Sequence, residues 1–515
     1  MRKNNNYWDH WVVISGLFLL GFFYSLLAQT VTKGPYLWLP QNQDVIIRWE
    51  TDQKVDQKIK YGLNKSVKST QKAQLIGESH EHYLYQAILP DLKSGRQYYY
   101  QIEIPEKKGP VDSLKTAPAK KSELTFVALG DSRSNPRIFN QLSRQAKQLQ
   151  PDLIINMGDL VAEGGDFQQW NEHYFDVANE LVGYIPLVSC LGDHEGDDDN
   201  GALYRYFFLP QLPVEELWFS YDYGPAHFVA LDYRYPDSEK MLEWFKKDMQ
   251  QTTDKWKFVY MHRPCYNLGG HRSNWGAPQW QKHFRDYKVD IVFAGHSHQY
   301  ERFFPVRPGQ EPASWPVTYI TTGGAGASLY DVIPSTFLAQ AQSVYHFTYL
   351  KISGDTLNFK ANLENGEILD QFQIVKSAGK YDRHYLSLVK PQEELDLANM
   401  FAMAISFTIH EVPLEEYPAR ANIELHGVSH QPLIEFEISP TAESAQFYGL
   451  QPLKGTLSEN QTLKFPLEIF SKQDLQISTW GDINPELRLQ VTYKSQDRQE
   501  TIMGGPVDYW PESEY

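Results

Sequence analysis

The sequence predicts three folded units in series: a small β-sandwich, a central α/β domain and a second β-sandwich-like domain. Three observations lead there. The chain has 515 residues, and a domain averages roughly 150. Strand-like alternation of apolar and polar residues marks both ends. Between them, apolar runs that stop at Gly-Asp or Gly-His pairs alternate with helical stretches, the rhythm of an α/β fold.

Apolar residues make up 42% and charged residues 22% of the chain. That balance excludes a disordered, collagen-like or coiled-coil protein. A formal net charge of −16 argues against nucleic acid as a bulk partner. Two cysteines cannot build a disulfide framework. Cys190 and Cys265 either pair, in an oxidising compartment, or persist as buried thiols.

Residues 1–28 begin with Arg2 and Lys3 and run through an uncharged, mostly apolar stretch from Trp11 to Leu27. This reads as a signal peptide cleaved after Ala28. Left uncleaved, it is a membrane anchor near the lower length limit for spanning. In both cases the rest of the protein is expected outside the cytoplasm, periplasmic or secreted. Residues 29–118 hold short alternating strands at Val45–Trp49, Tyr83–Leu89 and Gln97–Ile104, divided by Pro90-Asp91 and Ser94-Gly95. That spacing predicts a small β-sandwich. Residues 377–515 return to alternation, with Ile434, Phe436 and Ile438, then Leu487, Leu489, Val491 and Tyr493. They carry no catalytic constellation.

Residues 119–376 hold the chemistry. Leu124–Leu129 runs into Gly130-Asp131, Leu153–Met157 into Gly158-Asp159, and Leu187–Leu191 into Gly192-Asp193-His194-Glu195. Phe258–Met261 runs into His262, and Ile291–Ala294 into Gly295-His296-Ser297-His298. Ligands of α/β sheets bind at the C-terminal ends of strands. Asp131, Asp159, Asp193, His262, His296 and His298 would supply the His/Asp set that two metals need. Such a pair shares a hydroxide and clamps a phosphate ester, whose hydrolysis is otherwise very slow. The run Asp197-Asp198-Asp199-Asn200 is either a cation loop or, as such runs more often are, a solvated loop.

These ordered blocks, with His262-Arg263-Pro264-Cys265-Tyr266 and the extension Tyr300-Glu301-Arg302, resemble the calcineurin-like metallophosphoesterases. Within them the chain is similar to the purple acid phosphatase branch, from about Gly34 to Lys376. The opening Gly34-Pro35-Tyr36-Leu37 and Trp49 resemble the fibronectin type III-like domain of that branch. The resemblance implies a central β-sandwich flanked by helices in four layers. It also implies two metal ions of the Fe, Zn or Mn class. Asp159 would bridge them, Asp131 and His298 would hold the first, and Asp193, His262 and His296 the second. His194 would protonate the leaving oxygen, oriented by Glu195 or a nearby Asp.

Three positions depart from the family pattern. Arg133 stands where a His or small residue is usual, Asp193 where Asn is usual, and Ala162 where purple acid phosphatases carry a ferric-iron tyrosine. Arginine is a poor metal ligand because it stays charged. Arg133 and Asp193 are expected to offset one another's charge, with Arg133 beside the substrate phosphate, or else in a structural ion pair. The first metal site is then weak, water-filled or empty. The implied function is metal-dependent hydrolysis of phosphoric mono- or diesters, with the flanking β-domains positioning the enzyme near a cell surface or polymer. The alternatives are a binding or structural protein on a degenerate scaffold, and hydrolysis of non-phosphate esters by the same metals.

Overall fold

The computed structural model describes residues 30–504, apart from 39–43, 106, 214, 278, 409–418, 427–433, 459–460, 470–475, 478–482, 485–486 and 496–497. The leader expected at 1–28 lies outside the described residues. Among those described, no helix is long and apolar enough to cross a membrane.

The N-terminal unit is two sheets face to face. One has the order Val31–Trp38, Val45–Thr51, His82–Leu89, Gln74–Ser79. The other centres on Lys58–Gly62 and Gln97–Ile104. Alternate side chains point inward, so Ile47, Trp49, Ile59, Leu89 and Tyr100 form one buried cluster.

The central unit holds two seven-stranded sheets. In the first, Leu124–Leu129, Leu153–Asn156 and Leu187–Ser189 run parallel, and His346–Ser353 lies antiparallel to Leu124–Leu129. In the second, Ala226–Ala230, Trp256–Met261, Ile291–Ala294 and Thr318–Thr322 run parallel. These strands are near-continuous apolar runs because both faces are covered. Phe126 of the first sheet meets Phe228, Phe258 and Phe293 of the second at ring-centroid distances of 5.2, 5.1 and 6.4 Å. Helix Pro136–Gln148 starts at a proline, is capped by Asn135, and buries Ile138, Phe139, Leu142 and Ala146. Helix Glu239–Gln251 is capped by Ser238 and buries Met241, Leu242, Phe245 and Met249.

The C-terminal unit has two four-stranded sheets. Ile434–Pro440 shows the alternation read from sequence, with Ile434, Phe436 and Ile438 buried against Leu467, Leu489 and Val491. The region before it differs from the strand pattern expected there. Gln392–Ala404 is a helix. Leu395 and Ala398 enter the central core while Leu397 packs on the C-terminal one. A helix serving two cores has no single apolar stripe, which is why its period is hard to read.

The N-terminal unit grips the central one. Arg48 donates to the carbonyls of Phe207 and Phe208 at 3.0 and 2.7 Å, and Tyr36 to that of Phe207 at 2.7 Å. Buried Glu50, 2.9 Å from Lys33 Nζ through Oε1, accepts the Tyr206 hydroxyl on Oε2 at 3.2 Å. All these contacts hold helix Ala202–Phe208, which follows helix Asp193–Asp199 in the chain. Cys190 and Cys265 are buried and unpaired, so the disulfide does not form.

Candidate metal centre

The C-terminal ends of the two parallel strand sets meet across the two sheets. There Asp131, Asp159 and His298 converge, as do Asp193, His262 and His296, each trio with one ligand atom per residue within 4.8 Å of the others. Asp131, Asp159 and His296 all have positive φ, at 59°, 56° and 68°. This is backbone strain of the kind concentrated at functional sites. The glycines beside them leave the room required. A Cβ at Gly192 would fall 2.0 Å from the Asp159 nitrogen, and one at Gly323 would fall 2.7 Å from Asp131 Oδ2.

Two of the three histidines are fixed by a backbone carbonyl. Nδ1 of His262 donates to Met157 O at 2.7 Å, and Nδ1 of His298 to Ser328 O at 2.7 Å. Their Nε2 lone pairs therefore face the carboxylates. His262 Nε2 lies 3.4 Å from Asp159 Oδ1 and 3.7 Å from Asp193 Oδ1, fully buried and without a hydrogen-bond partner. His296 Nδ1 is 2.9 Å from Asp193 Oδ2. A lone pair and carboxylate oxygens converging in a dry site call for a cation. The donor chemistry fits a Zn-, Mn- or Fe-class ion. In the bare protein a proton takes that place. Burial opposes charge on His262, but Asp159 and Asp193 outweigh it and raise its pKa to about 9. Burial would raise Asp159, but His262, His194 and Arg133 hold it down at about 2.

Glu195 does not orient His194. It is fully buried and accepts four backbone N–H groups: Asp159 and Gly192 on Oε2, both at 3.0 Å, and Leu160 and Val161 on Oε1, at 2.7 and 3.1 Å. It thereby locks the two loops that carry Asp159 and Asp193. His194 is oriented by a carbonyl instead, with Nδ1 donating to Ala162 O at 2.5 Å. Its Nε2 then stands 3.8 Å from Asp159 Oδ2.

Charge is offset by different partners from those expected. Asp193 pairs with Arg263, whose Nε reaches its two oxygens at 3.0 and 3.1 Å. Arg133 instead donates to Asp159 Oδ2 at 3.1 Å. Arg263 was visible in sequence as the residue after His262, but nothing there assigned it a partner. His271 was also missed. Its ring stacks on His296 at 4.4 Å. Tyr330 stacks on His298 at 4.5 Å.

The Tyr300-Glu301-Arg302 block supports the site from behind. Glu301 accepts Asn267 Nδ2 at 3.0 Å and Gly269 N at 3.1 Å, fixing the loop before His271. Tyr300 and Arg302 both grip Asp370. The acidic run is the end of helix Asp193–Asp199 rather than a loop, and its carboxylates are engaged. Asp197 accepts the Tyr233 hydroxyl, Asp198 accepts Gly165 N, and Asp199 accepts the amides of Ala202 and Leu203.

Comparison with known proteins agrees with this arrangement. Residues 124–300 match the family model of the calcineurin-like phosphoesterases. Acid phosphatase type 7 of Danio rerio is 24% identical over 404 residues, spanning 64% of this chain and 88% of the relative. Probable inactive purple acid phosphatase 24 of Arabidopsis thaliana is 25% identical over 287 residues, 46% of each protein. The purple acid phosphatase PPD1 from yellow lupin, Lupinus luteus, shares the fold at a TM-score of 0.60 and 17% identity, over 69% of this chain and 76% of that one. Residues 124–300 therefore form a calcineurin-like phosphoesterase domain, and the chain around it is similar to the purple acid phosphatases in sequence and fold.

Proposed function

We propose that the protein is a metal-dependent hydrolase of phosphate esters, acting outside the cytoplasm after removal of residues 1–28. The observation that carries this reading is His262 Nε2, buried between two carboxylates at 3.4 and 3.7 Å and without a hydrogen-bond partner. Asp159, Asp193, His262 and His296 would hold one ion. The set expected for the other, Asp131, Asp159 and His298, also converges but has Arg133 in its midst. A bound ion supplies Lewis-acid polarisation of the phosphoryl oxygens. The rest falls to the chain's own side chains. Glu195 holds the Asp159 and Asp193 loops in register. Ala162 O keeps a proton on His194 Nδ1, leaving Nε2 to carry the proton that a leaving alkoxide needs. Arg263 keeps Asp193 turned toward His296.

A second reading, a binding protein on a degenerate scaffold, is favoured by Arg133 and by the inactive naming of one relative. Turnover of p-nitrophenyl phosphate and its bis-ester, with and without a chelator, separates the two. Hydrolysis that the chelator abolishes, and that Asp159→Ala removes while the fold survives, is the expected result. A metal-loaded wild type that turns over neither ester refutes the enzyme reading. Asp159→Ala retaining more than about a tenth of the activity refutes the shared role of that carboxylate.

A further inference from the structure

Arg133 contacts two of the three residues that would hold a first metal. Its Nε donates to Asp159 Oδ2 at 3.1 Å and its Nη2 to His298 Nε2 at 3.4 Å. A guanidinium has donors only, so both acceptors present lone pairs. His298 is already held in that tautomer by its bond to Ser328 O. The same Nε2 lies 3.5 Å from Asp131 Oδ1. Asp131 is itself engaged, accepting the His296 backbone N–H on both oxygens at 3.1 and 2.9 Å. The Arg133 side chain is only 16% exposed, so the contacts are made largely out of water. At the other trio the situation is reversed. The guanidinium there, Arg263, binds Asp193 from outside, and His262 Nε2 is left without a donor.

We propose that Arg133 is a built-in replacement for the first metal. Its planar fork neutralises Asp159 and satisfies His298, and the centre binds a single ion on Asp159, Asp193, His262 and His296. The proposal rests on the metal-centre reading above. Two further features of the chain support it. Ala162 provides no side-chain donor toward the Asp131–His298 pair, so an incoming ion would find three protein ligands, one of them shared. That ion would also lie against a permanent positive charge that cannot be titrated away.

The test is metal stoichiometry on the full chain, read without reference to activity. Wild type, Arg133→His and Arg133→Ala are saturated with Mn(II), gel-filtered, and assayed for bound metal per chain and by electron paramagnetic resonance. Wild type is expected to bind one Mn(II) with an uncoupled six-line spectrum. Arg133→His, which supplies an imidazole and removes the charge, is expected to bind two with an exchange-coupled spectrum. Arg133→Ala should fall between them. Two ions per chain in the wild type overturn the replacement role, and that measurement needs no variant to fold. One ion in all three proteins also overturns it, because the Asp131–His298 pair would then not be a metal site that Arg133 fills. No ion in the wild type instead overturns the metal-centre reading on which the proposal stands.

Discussion

Replacing Glu195 by Gln keeps the shape of the side chain and exchanges one carboxylate oxygen for an NH2 group. Whichever oxygen is lost, two backbone N–H groups lose their acceptor and face a donor instead. These are either Asp159 and Gly192 or Leu160 and Val161. A buried polar group left unsatisfied costs about 1–3 kcal/mol, so the two together cost roughly 2–6 kcal/mol. Relief by a rotated amide is not available, because both ends of the carboxylate are used. If the loops open locally, amide hydrogen exchange in peptides spanning 158–162 and 190–196 should speed up by a factor between about 30 and 10⁴ at this cost. Peptides from the outer units should be unaffected, which separates loop loosening from global unfolding. Metal affinity should fall with it, since the backbone carrying Asp159 loses its anchor. Exchange within about threefold of wild type, with an unchanged unfolding midpoint, would show that the four N–H groups are held by something other than Glu195.

His194→Ala should leave metal content intact but slow turnover by about 10²–10⁴-fold, less for p-nitrophenol than for an alkyl leaving group; an equal loss on both rules out proton donation. The iron-loaded protein should lack a strong visible charge-transfer band. Ala162 replaces the tyrosine, while Tyr266 and Tyr300 commit their hydroxyls to Asp396 and Asp370 at 2.5 and 2.7 Å. A strong band would mean that another tyrosine, with Tyr330 nearest to His298, has turned its oxygen onto the iron. His227 lies between Asp222 and Asp248 at 2.7 and 2.8 Å. Burial opposes its charge, but the two carboxylates outweigh burial and raise its pKa to about 9. Its contribution, on the order of 3 kcal/mol, is therefore complete below about pH 6.5 and is lost as pH rises through about 9. The stability gap between wild type and His227→Gln should close over that window, and a gap constant with pH contradicts the assignment.

The ends of the chemistry-bearing strands could be read directly, because a run such as Leu124–Leu129 has one plausible fate and the Asp after it has few. The sandwich at the C-terminus was readable for the same reason, since Ile434, Phe436 and Ile438 alternate without interruption. Interactions across the chain could not be read. Asp193 and Arg263 are 70 positions apart, and sequence offered Arg133 as an equally good partner for the extra carboxylate. Glu195 could be read only as one of two candidates to orient His194, because His194 is its sequence neighbour while its oxygens serve backbone amides up to 36 positions earlier. Backbone amides carry no sequence signal, so a side chain that binds four of them resembles any buried acid. Helix Gln392–Ala404 was missed because its apolar residues answer to two cores.

That helix also ties the order of synthesis to completion of the site. The Tyr266 hydroxyl donates to Asp396 at 2.5 Å and the Asn267 amide to Asn399 at 2.9 Å, across 130 and 132 positions of chain. Asn267 is in turn the residue that Glu301 holds. At translation rates of about 5–20 residues per second, the loop after His262 waits roughly 6–26 s on the ribosome for the residues that pin it. During that interval the remaining central strands, Ile291–Ala294, Thr318–Thr322 and His346–Ser353, are made, and the helix that pins the loop comes after all of them. A nascent chain halted before Asp396 would own every metal-ligand residue and still lack the frame that sets the spacing of one side. Helix Gln392–Ala404 thus pins a loop beside a centre whose ligand-type residues all lie well upstream of it in the chain.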